Sequence, residues 1–335
     1  MDPEPTLLTG WGRAGSSAGR VIDVDIDGLP AAIKELPARG GIARGLGRSY
    51  GDPAQNAGGH VVRLAGSAQH IALDDRSGTV TVGGGVRLDD LLNVLVPRGW
   101  FVPVTPGTRF VTIGGAIASD IHGKNHHRDG SFGNHVTGMR LMLADGSTAE
   151  LSPTATHSGD RELFWATIGG MGLTGVIVEA TFTLVPIETS RMYVETSRIG
   201  ELDEIMAAMA ASDGDYRYSV AWIDLLARGR QLGRGVLTNG EHAAAEQLSL
   251  AEQADPLAYD ARQVVSVPPL MPPSGVINRL SVAAFNEVWY RRARSGRHVG
   301  IESIPGYFHP LDLVGRWNLV YGRSGFLQYQ FVVPF

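Results

Sequence analysis

The chain has 335 residues, of which 43% are apolar and 19% are charged. This composition is ordinary for a soluble globular protein, and the length favours two domains. The net charge of −5 argues against nucleic-acid binding. The absence of cysteine excludes disulfides, thiolate metal sites and a cysteine nucleophile within this chain. No apolar run reaches the length of a membrane span, and we expect no signal peptide at the N-terminus.

The first part of the chain predicts short strands and helices in alternation. Strands are expected at 21–24, 42–44, 60–64, 70–74, 79–83 and 176–184. Helices are expected at 28–36, 87–96 and 160–167, the last with Asp160 as its N-cap. Two further strands, 136–143 and 148–151, flank Asp145-Gly146 and predict a hairpin.

The second part differs in composition, since 31 of the 44 glycines precede Glu188. We therefore predict a domain boundary near 186–189, with one domain at 1–187 and another at 188–335. Strands are expected at 192–196, 216–223 and 326–334, and helices at 202–211, 285–294 and 310–321. The stretch 240–275 allows no clear assignment. Because the chain stops directly after a predicted core strand, we expect a C-terminal part to be absent.

Two glycine-rich segments carry the strongest functional signal. The first reads ARGLGRSYGD over 43–52, and the second reads PGT over 106–108 and VTIGGAIASDIHGKNHH over 111–127. Both lack bulky side chains where a backbone turns or approaches a ligand. Main-chain amides with interspersed polar groups suit a large phosphate-bearing cofactor. Neither segment has the Walker or Rossmann spacing, and no Gly-x-Ser-x-Gly hydrolase motif occurs.

The segment HGKNHH over 122–127 allows two interpretations. His122 and His126 have a spacing that a metal site could use, but Gly123 follows His122 directly and no carboxylate motif accompanies the pair. Alternatively, His122 contacts the cofactor and Lys124 holds an anionic group of a substrate. An ordinary loop lysine is the less favoured alternative for Lys124, because it stands among glycines and histidines.

Other polar residues are less informative. His135, His157 and His309 are isolated and favour structural roles. Gln328 and Gln330 share one face of the predicted last strand, which either lines a pocket or faces solvent.

The quoted segments, together with FWAT at 164–167 and GLTG at 172–175, resemble the FAD domain of the vanillyl-alcohol-oxidase-type flavoproteins. DIHGKNHH at 120–127, GSFGNH at 130–135, FHPLD at 308–312 and FLQYQF at 326–331 closely resemble the decaprenylphosphoryl-β-D-ribose 2-oxidase family. The resemblance covers nearly the whole chain. It implies an α+β fold with a PCMH-type FAD-binding domain and a substrate domain on an antiparallel sheet, incomplete at its C-terminus.

The resemblance also implies site residues. His122 and Lys124 would be catalytic, with Lys124 near the sugar phosphate, and the substrate pocket would be lined by Trp222, Phe308, Gln328 and Gln330. The residues expected to bind FAD are Ala43, Arg44, Gly45, Leu46, Gly47, Arg48, Ser49, Tyr50, Gly51, Asp52, Pro53, Gly107, Thr112, Ile113, Gly114, Gly115, Ser119, Asp120, Ile121, His122 and Ile177.

The implied reaction transfers hydride from C2 of a polyprenylphosphoryl ribose to the flavin and gives a 2-keto sugar. An NADH-dependent reductase partner would then complete an epimerisation that supplies actinobacterial cell-wall arabinan. Such a protein would lie at the cell envelope, touch the membrane through its lipid substrate, and have no transmembrane segment. The family reading favours the periplasm.

This sequence departs from the family pattern at several positions, and one of these departures predicts how FAD is bound. Arg48 stands where many relatives carry the histidine that tethers FAD covalently, so we expect non-covalent FAD. Ser119 replaces a cysteine, Phe308 replaces a tyrosine of some members, and Leu319 replaces an arginine. Two rival functions are an oxygen-using sugar-alcohol or aldonolactone oxidase, and a non-catalytic flavin-binding module.

Overall fold

The computed structural model describes residues 3–64, 70–262, 265–268, 272 and 274–330. In this part of the chain the fold is α+β, as expected, with three larger sheets and helices packed against them. The strands are β1 (Pro5–Thr9), β2 (Ser16–Val24), β3 (Gly41–Ala43), β4 (His60–Leu64), β5 (Ile71–Asp74), β6 (Thr79–Gly83), β7 (Trp100–Phe101), β8 (Val136–Met142), β9 (Thr148–Leu151), β10 (Val176–Thr183), β11 (Val185–Pro186), β12 (Arg191–Ile199), β13 (Tyr218–Ile223), β14 (Gly235–His242), β15 (Val265–Ser266), β16 (Gly296–Ser303) and β17 (Val314–Gly315). The helices are α1 (Leu29–Lys34), α2 (Leu88–Leu95), α3 (Ile113–Ala118), α4 (His126–Asp129), α5 (Ser158–Thr167), α6 (Leu202–Ser212), α7 (Leu250–Gln253), α8 (Arg279–Arg292) and α9 (Ile304–Phe308).

The first sheet has the order β1-β2-β4-β3. Strand β1 is antiparallel to β2, whereas β4 runs parallel to both β2 and β3. Helix α1 connects β2 to β3 and buries Leu29 and Ile33 against Val62. The loop after β3 therefore starts from the edge strand of this sheet, which is held by its parallel pairing with β4.

The second sheet is antiparallel throughout, with the order β5-β6-β10-β8-β9. Helix α2 packs on this core with Leu88, Leu91, Leu92 and Leu95 all buried. These positions repeat at i, i+3, i+4 and i+7, which places them on one face of a helix. A short 3₁₀ turn follows and ends at Gly99 with φ of 77°.

The third sheet is antiparallel with the order β13-β14-β12-β16. Its core residues Met192, Val194 and Tyr218 belong to the same buried cluster as Val80, Leu92 and Phe132 of the first part of the chain. The second and third sheets thus share one apolar core, whereas the first sheet packs through a separate cluster against Met142, Val176 and Val178 of β8 and β10. The domain boundary near 186–189 stays a prediction.

Many expected elements are confirmed, among them β4, β6, α2, α6, the β8–β9 hairpin and β10. Helix α5 begins two residues earlier than expected, so Asp160 lies in its first turn and His157 is the N-cap. Strands β1, β14 and β16 were not predicted. The segment 240–275, left unassigned, contains the end of β14, helix α7 and β15.

Two expectations near the C-terminus are wrong. The helix expected at 310–321 is two 3₁₀ turns, Pro310–Leu313 and Trp317–Tyr321, separated by β17. Arg316 with φ of 55° breaks the helical path. The strand expected at 326–334 is also absent over its described part, since Phe326 forms only an isolated bridge with Arg13 and residues 327–330 are irregular. Residues 331–334 lie outside the described residues.

Candidate active site

The first glycine loop, residues 44–53, is held in shape by Arg44. This guanidinium donates to the carbonyl of Ala54 at 2.9 Å and to that of Thr9 at 2.7 Å, so it ties the loop to β1. Gly47 has φ of 63°, and a Cβ there would lie 2.3 Å from Nη2 of Arg44. The loop can wrap around the arginine only because position 47 is glycine. Arg44 is therefore a structural residue of the loop.

The amide of Arg44 donates to the carbonyl of Val62 at 2.8 Å, but the amides after it in this loop have no such partner in the described part of the chain. Among the described residues, no acceptor lies within hydrogen-bond reach of any amide from Gly45 to Asp52, whereas the carbonyls of Ser49 and Tyr50 accept from Trp11 and Gly12. Backbone donors in folded proteins are normally satisfied. A run of free amides is the arrangement that binds phosphate oxygens.

Arg48 adds a cation to these donors. Its guanidinium lies 3.8 Å from the centroid of the Trp11 ring, and its Nε is buried without a partner among the described residues. Burial lowers the pKa of Arg48, and the charge of Asp312 acts in the opposite direction. A half-buried arginine with an unused donor is poised for an anion.

The second glycine segment is built differently, because its amides are used within the protein. Thr112 caps α3 by accepting from Gly115 at 3.2 Å. The amide of Ile113 donates to Val86, and that of Gly114 donates to Gly84 at 2.7 Å. This segment can offer close backbone approach to a ligand, but few free donors.

Glycines 84 and 114 bring three backbone segments together next to Ile177. A Cβ on Gly84 would lie 2.0 Å from the carbonyl oxygen of Ile177, and one on Gly114 would lie 3.0 Å from the carbonyl oxygen of Gly84. Ile177 itself is buried. The structure thus brings together Ile177 and the Thr112–Gly115 turn, which were predicted for the same cofactor.

Asp120 shapes the path from α3 to the histidine segment. It has φ of 40°, and its carboxylate accepts from Oγ of Ser131 at 2.7 Å and from the amide of Gly133 at 2.9 Å. His122 then pairs with Ser131 in an isolated bridge. Both carboxylate oxygens are occupied by these contacts, so Asp120 holds the loop, while its neighbour Ser119 is exposed.

His122 and Gln330 are in direct contact, although 208 positions separate them in the chain. Their Nε2 atoms lie 2.8 Å apart, and Gln330 also accepts from Gln328 at 3.4 Å. Because an amide nitrogen can only donate, His122 accepts at Nε2 and carries its proton on Nδ1 in this arrangement. The ring of His126 lies 5.6 Å from that of His122, edge to face. The described residues contain no group of three or more His, Asp or Glu side chains placed to hold a metal ion.

Lys124 is largely enclosed by Tyr307. Its ammonium donates to the Tyr307 carbonyl oxygen and lies 4.0 Å from the centroid of the same tyrosine ring. Burial lowers the pKa of Lys124 to about 8, and the charge of Glu302 acts in the opposite direction. The lysine is therefore a cation held at some cost in a partly apolar place, which an anionic ligand would relieve.

The loop that carries Lys124 is fastened to the third sheet. The carbonyl of Lys124 accepts from the amide of Ser219 at 2.8 Å. Asp129 binds Arg217 at 2.7 Å and accepts from Asn125 at 2.6 Å. Asn125 is buried and also donates to the carbonyl of Pro103 at 2.8 Å. These contacts fix Lys124 between the flavin segments and β13, and sequence reasoning assigned no role to Asn125, Asp129 or Arg217.

A second set of contacts, here called the Asp312 clamp, fastens residues 309–312 to residues 105–109. Asp312 accepts from Oγ1 of Thr108 and from the amide of Arg109, both at 2.7 Å. His309 pairs with Oγ1 of Thr105 at 2.9 Å. Arg109, only 1% exposed, donates to Asp89 at 2.5 Å and lies 3.9 Å from Asp312. The clamp holds the chain on both sides of Gly107, a predicted flavin contact that is itself exposed. Asp312 belongs to the FHPLD motif, but sequence reasoning assigned no role to Asp312 or Arg109.

Phe308 and Trp222, which were also predicted to line the substrate pocket, differ in how deeply they are buried. Phe308 is 2% exposed and packs among Phe101, Tyr218 and His242, so it is a core residue. This burial does not favour the predicted contact with substrate. Trp222 lies on β13, three residues beyond Ser219, and is half-buried.

An open surface pocket of about 640 Å³ lies elsewhere, between Tyr193, Tyr216 and Arg297. None of the predicted site residues lines it.

Comparison with known proteins decides the family. The FAD binding domain family matches residues 26–152. The chain is 43% identical to the decaprenylphosphoryl-β-D-ribose oxidase of Mycolicibacterium smegmatis, over 98% of this chain and 71% of that protein. This chain belongs to the decaprenylphosphoryl-β-D-ribose oxidase family. It is an FAD-dependent oxidoreductase, and the expectation from its motifs is confirmed.

Two other relatives cover less of the chain. A protein of Streptomyces coelicolor encoded in the mprA 5′ region is 42% identical over 58% of this chain and 51% of its own length. The alditol oxidase of Streptomyces sp. is 27% identical over 54% of this chain and 42% of its own length.

The residues present fit the FAD that this family implies. Free amides at 45–52 and the unused Nε of Arg48 suit the pyrophosphate. The individual contacts assigned to FAD and substrate stay predictions.

We expect FAD to be bound without a covalent bond and to depend on Arg48. Acid precipitation should release the flavin absorbance into the supernatant, because arginine cannot form the tether. Arg48→Ala should raise the dissociation constant for FAD about 10–100-fold, the loss expected for a charged hydrogen bond. Titration of the apoprotein with FAD, followed by flavin fluorescence, measures this. Arg76→Ala, an exposed arginine outside the site, is the control, and flavin that stays with the acid pellet would contradict the prediction.

Removal of the Asp312 carboxylate should unfold the chain more readily. Asp312→Ala leaves the buried Arg109 with a weaker counter-charge and removes two hydrogen bonds, so we expect a loss of about 3–5 kcal/mol in the free energy of unfolding. Urea denaturation of the apoprotein gives this quantity without any contribution from cofactor. The exposed Asp255→Ala should change it by less than about 0.5 kcal/mol. Equal stability of the two variants would refute the structural role of the clamp.

Proposed function

We propose that this oxidoreductase oxidises the 2-hydroxyl of decaprenylphosphoryl-β-D-ribose to the 2-keto sugar. The substrate is the one named for the relative that is 43% identical along almost the whole chain. The observation that carries the proposal is Lys124, a partly buried cation two residues along the chain from His122, which itself contacts Gln330. The substrate has a permanently charged phosphodiester next to a neutral sugar ring. It therefore needs a cation for the phosphate and polar groups that can form hydrogen bonds with the sugar hydroxyls.

FAD, when bound, would supply the oxidising capacity for removal of the C2 hydride. Lys124 binds the phosphate and so fixes the sugar at a set distance from the flavin. In the absence of ligand the ammonium is partly compensated by the carbonyl and the ring of Tyr307. The phosphate replaces this weak compensation with a full negative charge.

We assign the removal of the proton from the sugar hydroxyl to His122, with Gln330 as its hydrogen-bond partner in the absence of substrate. Nε2 of His122 already accepts a hydrogen bond from the Gln330 amide, so this nitrogen carries a lone pair. When a sugar hydroxyl takes the place of the amide, the same lone pair receives the proton as the C2 hydride departs. Gln328, which contacts Gln330, keeps the displaced amide close to the sugar.

The product ketone requires a second enzyme for epimerisation. We propose an NADH-dependent keto-reductase as the partner, because reduction from the opposite face of C2 would give the arabinose epimer. The lipid chain of the substrate places the reaction at a membrane surface of the cell envelope. In the part of the chain that the structure describes, no helix is long and apolar enough to cross a membrane.

The alternative within the same fold is an alditol or aldonolactone oxidase that uses oxygen. Its support is the lower identity to the alditol oxidase. Such an enzyme acts on uncharged polyols and releases peroxide, so it gives Lys124 no anion to bind. Turnover of a free polyol with peroxide release would favour this alternative.

Lys124→Ala should lower kcat/KM for the lipid-phosphate sugar about 10–100-fold, because one charged hydrogen bond to phosphate is lost. FAD binding should be unchanged. Lys34→Ala is a matched control, since Lys34 is the other lysine of the sequence and is exposed. Unchanged turnover in Lys124→Ala would remove the observation on which the proposed substrate rests.

The activity should also depend on the protonation of Lys124. Because the pKa of Lys124 is lowered to about 8, the charged form is lost as the pH rises through this value. We therefore expect kcat/KM to fall above pH 8, approaching tenfold per unit, as kcat/KM reports the free enzyme. Lys124→Arg should retain its activity to higher pH, since arginine stays charged. A profile shared by both variants would assign the decline to another group.

A further inference from the structure

Helix α8 is attached to the third sheet through polar side chains. Asn286 is buried and donates to Asp224 at 2.6 Å, and Glu287 binds Arg234 at 2.6 Å. The ring of Tyr290 lies 4.6 Å from the same Arg234 guanidinium. Residues 286 and 290 are four apart and so share one face of the helix. The inward face of α8 is therefore held by hydrogen bonds and ion pairs.

The outward face of α8 is apolar. Leu280 is 82% exposed, Phe285 57%, Val288 69% and Trp289 40%, and the rings of Phe285 and Trp289 stack at 5.8 Å. Val276 and Ile277, directly before the helix, are exposed as well. A helix that buries polar groups and exposes large apolar ones has the reverse of the usual arrangement. A contiguous exposed apolar surface of this kind marks an interaction site.

The same surface is strongly basic. Residues 276–294 hold four arginines and one acidic residue, Glu287, in a chain whose net charge is −5. Arg279, Arg292 and Arg294 are exposed and form no ion pair within the described residues. Arg292 lies over the Trp289 ring, 5.9 Å from its centroid. Cations thus flank and interrupt the apolar face, which we call the α8 surface (residues 276–294).

We propose that the α8 surface docks on a membrane that contains anionic lipids. Apolar side chains with a tryptophan and unpaired arginines are the combination that inserts between headgroups while the guanidiniums meet lipid phosphates. The helix has 14 residues and is about 21 Å long, shorter than a membrane span, so a docked α8 would lie in the plane of the interface with its apolar side chains towards the lipid. The proposal concerns any bilayer with anionic lipids, so it does not depend on which sugar the enzyme oxidises.

Charge favours a lipid surface over a second copy of the chain. In a two-fold dimer built on this surface, the same patch faces itself. Arg279, Arg292 and Arg294 of each copy would then meet like charges with no acidic residue free to pair, since Glu287 already binds Arg234 and Arg291. Such a like-charge contact is unfavourable. An anionic lipid surface instead pairs with every exposed guanidinium.

Co-sedimentation of the purified chain with vesicles tests the proposal. Vesicles of phosphatidylcholine mixed with phosphatidylglycerol should bind the chain, vesicles of phosphatidylcholine alone should bind it less, and high salt should weaken binding. Phe285→Ser combined with Val288→Ser should reduce the partition coefficient about tenfold. Arg292→Glu combined with Arg294→Glu should do the same for the anionic vesicles only. The vesicles hold no sugar substrate, so the result is separate from the proposed reaction.

Two control variants match the test variants. Leu250→Ser removes an exposed leucine on α7, and Arg76→Glu reverses an exposed arginine of the second sheet's edge, and both should bind as the parent does. Circular dichroism and FAD titration show that each variant is folded. Quenching by bromine-labelled lipid chains should be weaker in Trp289→Phe than in the parent. No vesicle binding, binding unaffected by the four substitutions, or a dimer in ultracentrifugation that Phe285→Ser and Val288→Ser dissolve would overturn the proposal.

Discussion

The buried carboxylate of Asp312 is the contact on which the arrangement of the site depends. It joins a turn of the flavin-binding part to a segment more than 200 residues later, and it does so with two hydrogen bonds and the nearby charge of Arg109. Burial raises the pKa of Asp312, while the donors at Thr108 and Arg109 oppose that shift. The carboxylate is tolerated inside because its partners are fixed. Burying the carboxylate costs free energy, and its hydrogen bonds to Thr108 and Arg109 offset that cost. The same bonds hold residues 309–312 rigidly against residues 105–109.

The two glycine segments have different structural roles, although they look alike in the sequence. Residues 45–52 leave their amides free and keep only their carbonyls bonded, so the loop is a donor surface for an anion. Residues 112–115 satisfy their amides within the protein, so they contribute shape rather than donors. Glycine is needed in the first case to wrap around Arg44, and in the second to let the backbones of Gly84, Gly114 and Ile177 meet.

Local pattern was sufficient for elements whose residues alternate or repeat clearly, such as β6 and α2. It failed for β14 and β16, because glycines and polar residues obscure the alternation and these strands exist through pairing with β12. The motif residues that carry the family resemblance located His122, Lys124 and Gln330. The residues that position them were missed, since Asp129 with Arg217 and Asp312 with Thr108 become neighbours only after folding. The burial of Phe308 among Phe101 and Tyr218 could not be predicted either, because it is a property of the assembled core.

The enclosure of Lys124 links the site to the rest of the fold. A lysine in open solvent would be hydrated and would gain little from a phosphate. Here the loop is tied to β13 through Ser219 and Arg217, and α9 supplies the carbonyl and ring of Tyr307 around the ammonium. The charge is therefore held where water is partly excluded and where its compensation is incomplete. An anion that reaches Lys124 would gain more there than it would at the surface, because the packing of α9 and β13 around the lysine partly excludes water.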